Sequence, residues 1–409
     1  MKISRLAAAA LLSAGMSQAY AQDKVAKIGL MAPITGGAAA DGQEMVKGAQ
    51  LAIDEINASG GVAGYKLELV VGDIQGATPD IVTSVVERLS SDRDLNAILV
   101  GYASTTNFEI DLMAEMDMPY LIAGNSAETV RIISRDPAAY PTVWSMVPSY
   151  DAFNTELVPV VDGLAGSGKF DAGDKKVALI SSDNPYSKTI MEGLAGAFTA
   201  DGWTVTSKDL LPFGEINDWR PFLAKVRNDK PSVIVNTDYV TSNAATFLTQ
   251  FLEQPTKSLV FIQYAPSVPE FMELTKDKST GVLFNTLGGI VGMSDRNERT
   301  AKYTAMFKDK YGADSGVYGA LLYEEVHVYA DALAKVGDPA KRIEIGNAIG
   351  GTDKQIATGH LKFDPATHLA VQGAEGIPIQ FYQIWDGKQV LFYPASVANG
   401  EFQTPPWIK

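Results

Sequence analysis

Val25-Ala-Lys-Ile-Gly-Leu-Met-Ala32, then Pro33-Ile-Thr-Gly-Gly37, then Gln43-Glu-Met-Val-Lys-Gly-Ala-Gln-Leu-Ala-Ile-Asp-Glu-Ile-Asn57, is the stretch that decides the fold. The first segment is a short β-rich run. The second is a turn, and the third carries Val46, Ala49, Leu51, Ile53 and Ile56 at helical spacing. Ser59-Gly60-Gly61 ends that helix, since glycine accepts the left-handed backbone that follows a helix. A strand, a turn, a helix and a stop within some three dozen residues predict the opening of a β-α-β unit.

Working outward, the alternation continues. Tyr65–Asp73, Leu95–Tyr102 and Tyr120–Gly124 read as strands, with helices over Pro79–Ser91 and Thr106–Asp117 between them. After a break near Met146–Ser149 the rhythm restarts. Strands are expected over Lys176–Ser182, Thr204–Leu211, Ser232–Thr237 and Leu259–Gln263, and helices over Ser187–Asp201, Trp219–Asp229 and Ser242–Gln254. This order predicts an α/β chain of two doubly wound lobes. The last third differs: Tyr318–Val336 reads as one long helix, and Pro378–Asp386 with Gln389–Tyr393 as a hairpin about Asp386-Gly387. It is expected to complete the two lobes.

The chain has 409 residues, no cysteine, and 34 Lys+Arg against 48 Asp+Glu, for a formal charge of −14. That length suits two or three domains with sizeable cores. The acidic balance argues against nucleic acid, whose phosphates need a basic stripe. Lys2 and Arg5 precede the apolar Leu6–Gly15, and Ala19-Tyr20-Ala21 supplies a small-x-small site, so residues 1–21 read as a signal peptide cleaved near Ala21/Gln22. The apolar run is too short to span a bilayer, where roughly 20 residues are needed. A periplasmic, freely soluble protein is the expectation.

Catalytic motifs find little support. Gly163-Leu-Ala-Gly-Ser-Gly-Lys169 nearly spells a P-loop, but Phe170 stands where the Mg²⁺-binding hydroxyl belongs, so a glycine-rich surface turn is expected. His327, His360 and His368 are scattered, and no nucleophile elbow or dinucleotide fingerprint is present. Glu324 and Glu325 fall on neighbouring helix positions that face different ways, which predicts solvated carboxylates and no acid/base pair. No enzyme activity, metal or cofactor is expected.

Loops at the carboxyl ends of strands are where open α/β sheets bind ligands. Here Gly101-Tyr-Ala-Ser-Thr-Thr106 and Ala123-Gly-Asn-Ser126 are rich in small hydroxyl residues, and with helix-start N–H groups they suit a carboxylate or other acceptor. Plain N-capping by Ser104 or Thr105 is the alternative.

Taken with Lys27–Gly36, Gly48–Asn57, Gly60-Gly61 and Tyr318-Gly-Ala-Leu-Leu-Tyr323, these loops resemble the type I periplasmic binding proteins of the branched-chain amino acid (leucine/isoleucine/valine) class. The resemblance covers nearly the whole chain. It implies two Rossmann-like lobes joined by a three-crossover hinge, with lobe 1 formed by residues 22–146 plus about 285–358 and lobe 2 by 147–284 plus about 359–409. It further implies closure on a small-molecule ligand and delivery to the permease subunits of an ABC importer, by a protein expected to be monomeric. A periplasmic receptor that presents the same lobes to a membrane signalling protein is the alternative.

By position the resemblance gives ligand contacts to Ser104, Gly124, Asn125 and Ser126, with Tyr102 and Thr105 beside them. Tyr186 is matched to an aromatic that closes from lobe 2, Asp238 or Tyr239 to another wall, and Tyr318 to an aromatic lining the pocket. For each tyrosine a half-buried packing role is the alternative. One departure stands out. Amino-acid-binding members carry a carboxylate after the strand corresponding to Leu259–Gln263, and this chain has Tyr264-Ala265-Pro266. A buried ammonium without a partner costs several kcal/mol. Either Asp41 or Asp238 therefore substitutes, or the ligand is an amide, a urea-like compound or an aromatic acid instead of an α-amino acid, and the sequence leans to the latter.

Overall fold

The computed structural model describes residues 24–102, 104, 106–124, 127–289, 297–373 and 375–408. The signal segment, Thr105, Asn125 and Ser126 lie outside the described residues. The first half runs Lys24–Ala32 (β1), Ala39–Ala58 (α1), Tyr65–Asp73 (β2), Pro79–Ser90 (α2), Leu95–Val100 (β3), Glu109–Glu115 (α3), Tyr120–Ile122 (β4), Ala127–Ile133 (α4) and Val143–Ser145 (β5). These strands form a parallel sheet in the order β2-β1-β3-β4-β5. Its two faces follow from strand alternation: Ala97 and Leu99 of β3 pack towards α1, and Ile98 and Val100 towards Ile110 and Met113 of α3.

The chain then builds a second unit from Leu157–Gly166 (α5), Lys176–Ser182 (β6), Pro185–Ala200 (α6), Thr204–Leu211 (β7), Arg220–Asp229 (α7), Val233–Asn236 (β8), Thr241–Glu253 (α8), Leu259–Ile262 (β9), Pro269–Thr275 (α9) and Leu283–Leu287 (β10). It returns to the first unit with Glu298–Tyr311 (α10), Val317–Val336 (α11) and Arg342–Gly350 (α12), and forms the small antiparallel pair Asp353–Ile356 (β11) and Gly359–Lys362 (β12). It ends in the second unit with Ile379–Trp385 (β13) and Lys388–Tyr393 (β14). The second sheet, ordered β14-β13-β10-β9-β8-β6-β7, is parallel through β10 and antiparallel beyond it. The hairpin turn at Asp386-Gly387 has positive φ at both residues, as a two-residue turn between twisted strands requires. Between the units, His368 and Ala370 bond to Ser145 of β5, so this part of the last crossing borders the first sheet.

Two expectations need correction. Gly163 and Gly166 belong to α5 and the turn begins only at Ser167, so most of the glycine-rich segment is the end of a helix instead of a surface turn. Glu324 and Glu325 are both fully buried. They do face different ways along α11, but each way leads into protein. Glu324 takes Arg299 Nε and Nη2 at 2.5 Å each and the Ala357 N–H at 2.7 Å. Neither carboxyl oxygen of Glu325 has a well-formed hydrogen bond, and burial pushes its carboxyl well above the usual range, weakly opposed by the Val100 backbone.

Candidate ligand-binding cleft

α1 and α11 approach so closely that a Cβ on Gly48 would lie 2.0 Å from the Gly319 carbonyl oxygen. That approach sets the cleft's first wall. Glu44, one turn into α1, accepts the Gly316 N–H at the start of α11 and the Ser315 hydroxyl (3.0 Å). Tyr318 therefore stands at a fixed place in the first turn of α11. Asp41, three residues before Glu44, shares its helix face. Gly101 lets this face reach the end of β3, because a Cβ there would strike Met45.

Asp41 is 6% exposed and is the hub of the cleft. Tyr102 Oη donates to its Oδ2 at 3.0 Å. Tyr264 Oη, from the loop after β9 in the second unit, donates to its Oδ1 at 2.7 Å. The ring of Tyr318 packs between them, 5.3 Å from Tyr102 and 6.0 Å from Tyr264. Gly124 completes this wall: a Cβ there would sit 3.4 Å from the Tyr318 hydroxyl. Burial pushes the Asp41 carboxyl up to about 6, against the pull of the two hydroxyls, and the Glu44 carboxyl up to about 7.

The second wall is aromatic. Asn184 caps α6, taking the Ser187 N–H at 2.9 Å, with Pro185 in the first helical position, so Tyr186 projects from the first turn. Its ring lies edge-on to Tyr239 (5.9 Å) and to Tyr150 (5.3 Å), and its hydroxyl meets Gln263 Nε2 at 3.3 Å. Tyr264 itself has φ +62° and ψ −54°, and the Ala265 N–H bonds back to the Gln263 carbonyl at 2.7 Å. That is the rare γ-turn with positive φ at its centre, a strained conformation for a tyrosine.

Thus Asp41, Tyr102, Gly124, Tyr264 and Tyr318 gather at one place, with Tyr186 and Tyr239 as a second aromatic pair. Two expected site residues have other partners. Ser104 donates to Glu109 Oε2 at 2.6 Å and is buried, which ties down the start of α3. Asp238 is fully buried and takes Asn243 Nδ2 (2.7 Å) and the Val240 N–H (3.1 Å), shaping the start of α8. Tyr150, Gln263 and Glu44 escaped the sequence reading. Tyr150 follows directly on the Met146–Ser149 break, which was its one available signal. A surface hollow of about 460 Å³ between Arg93, Asn96, Asp117 and the start of α12 opens at the amino ends of the first sheet's strands, away from this cleft.

Residues 25–384 match the family described as periplasmic binding protein. The chain belongs to that family. It is 29% identical over 410 residues to the Leu/Ile/Val-binding protein homolog 8 of Brucella abortus, covering 97% of this chain and 98% of the relative. A putative branched-chain amino acid ABC transporter from Silicibacter pomeroyi superposes with a TM-score of 0.83 at 29% identity, covering 94% of this chain and all of that one. A solute-binding protein from R. palustris, solved in complex with benzoate, shares the fold at 16% identity and a TM-score of 0.72, over 93% and 99% of the two chains. The expected family, the type I binding-protein fold and the function of a substrate-binding protein of ABC transport are borne out. Members of the family are periplasmic binding proteins.

Proposed function

We propose that this chain is exported through removal of residues 1–21, captures a small polar solute between its two lobes without catalysis, and delivers it to the permease subunits of an ABC importer. The observation that carries this reading is the Tyr264–Asp41 hydrogen bond, made by side chains of opposite units at the carboxyl ends of their sheets. A contact of that kind exists only when the units are drawn together, and a ligand with contacts on both walls favours the same arrangement. The candidate contacts are Asp41, Tyr102, Gly124 and Tyr318 on one side and Tyr186, Tyr239 and Tyr264 on the other. Ser104, Thr105, Asn125, Ser126 and Asp238 remain part of the reading, Ser104 and Asp238 as supports of the loops they anchor. The lobes are residues 22–146 with about 285–358 and 147–284 with about 359–409, the last boundary softened by the His368–Ala370 contact with β5.

A thermal-shift panel of amino acids, amides, amines and aromatic acids finds the ligand class, since a ligand that binds only the native state raises its apparent stability. Small-angle scattering with the best binder should then show a smaller radius of gyration in a monomeric protein than in a Tyr264→Phe variant without ligand. A profile that no binder changes, in either protein, contradicts capture by closure.

A further inference from the structure

We infer that the cleft recognises its ligand through a cationic nitrogen held by Asp41, so that a carboxylate on the ligand is not required. This deepens the reading just given and rests on it. Asp41 is a built acceptor with unused capacity: each carboxylate oxygen offers two acceptor sites, and each has one tyrosine hydroxyl on it. The two free sites are buried among tyrosine rings, where a carboxylate gains nothing from water.

The charges around it point the same way. No Lys, Arg or His among the described residues forms an ion pair with Asp41. The ionisable groups that bear on it are Glu44 on its own helix, Glu270 from α9, and the tyrosines of both walls. Lys47 offsets Glu44 rather than Asp41. Among the described residues the cleft is therefore acidic and holds no fixed counter-ion for Asp41, and a ligand cation supplies one. The electron-rich faces of Tyr102, Tyr264 and Tyr318, grouped within 5.3 and 6.0 Å of each other, suit the same charge, because a cation is attracted to an aromatic face. Asp238 serves another end: it holds Asn243 Nδ2 and the Val240 N–H at the start of α8, and among the described residues no tyrosine hydroxyl of the cleft donates to it. The sequence-based lean towards a neutral or acidic ligand gives way to a primary ammonium, a small alkylammonium or an amidinium.

The test uses matched pairs that differ only in the charged group: benzylammonium against benzoate, isopentylammonium against isovalerate, and leucine alongside the second pair. Calorimetric titration of the exported protein at pH 7.5 should give binding by the cations at least tenfold tighter than by the acids, with Asp41→Asn weakening the cations at least tenfold. The unliganded thermal midpoint of the variant shows that it folds, and the wild-type pairs stand without it. Binding of either acid as tightly as its amine, or of no cation in the panel, overturns the inference. Compaction in scattering by whatever ligand does bind leaves the capture reading intact, which separates the two failures.

Discussion

Tyr264 holds a backbone conformation that costs of order 1–3 kcal/mol for a residue with a side chain, and it spends that strain on aiming one hydroxyl at Asp41. Tyr264→Phe keeps the ring against Tyr318 and removes only the hydroxyl. Because that hydroxyl lowers the Asp41 carboxyl, its loss should move the ionisation above about 6, read by carboxyl-carbon NMR of labelled aspartate. A second expectation concerns stability. Asp41 and Glu44 are raised in the folded chain to about 6 and about 7, so between roughly pH 4 and those values the native state holds protons that the unfolded chain releases. Their contribution is therefore fully present below pH 4 and is lost as pH rises through 6 and 7. Two groups act in the opposite sense. Glu55, held well below the usual range by His327, Lys302 and Tyr323, does so only once pH falls below about 4.5. His368, whose imidazole is held below its ordinary value by burial, does so as pH falls below the ordinary histidine range, so the two raised carboxyls are read against it through Asp41→Asn. The ligand-free thermal midpoint should thus decline from pH 5 to pH 7, and Asp41→Asn should flatten the decline. A midpoint that climbs over that range contradicts the burial assigned to these carboxyls.

At the scale of elements, the α1–α11 contact is the tightest constraint. Glu44 clamps one end to Gly316, and Glu55 clamps the other to Tyr323 (2.5 Å) and His327 (3.3 Å), so the helices cannot part to admit a methyl group. Gly48→Ala should cost about 1–3 kcal/mol, seen as a lower urea midpoint. Gly163→Ala and Gly196→Ala, in exposed helical positions where an added Cβ meets nothing within 4 Å, should each gain about 0.5–1 kcal/mol. These elements also show what the sequence could reveal. β2, β6 and β7 fall on the residues expected, because each is bounded by turn residues and carries a strand-like run. β10 and α10 were not read: Asn285 and Thr286 break the apolar run of the one, and only Tyr303 and Phe307 mark the inner face of the other. In the cleft, the tyrosines and Asp41 were legible as residue types at strand ends. The γ-turn that brings Tyr264 to Asp41 was not, since no local pattern predicts positive φ at a tyrosine. Glu324 misled because its partners, Arg299 and Ala357, lie far off in the chain and meet it only after packing.

At the scale of the whole molecule, Glu325 is, among the described residues, the buried carboxyl with neither oxygen in a well-formed hydrogen bond, set behind β3. Kept neutral, it is tolerated; ionised, it would leave a buried charge unpaired. Raising the pH above the ordinary glutamate range should therefore lower the thermal midpoint, and Glu325→Gln, which preserves shape, should remove that part of the fall. The three passages of the chain between units bear on folding in another way. α1 (Ala39–Ala58) is covered by α11 (Val317–Val336), which the ribosome reaches about 260 residues later, on the order of 10–50 s at ordinary synthesis rates. Until then the Gly48 face of α1 is bare, and the helical layer that α1 begins on the first sheet lacks α11. A nascent chain arrested at residue 290 should expose residues 24–146 to protease, and one extended past residue 360 should protect them. The early sheet is thus kept unfinished by its own topology, a state fit for threading through a translocation channel before the last helices lock it.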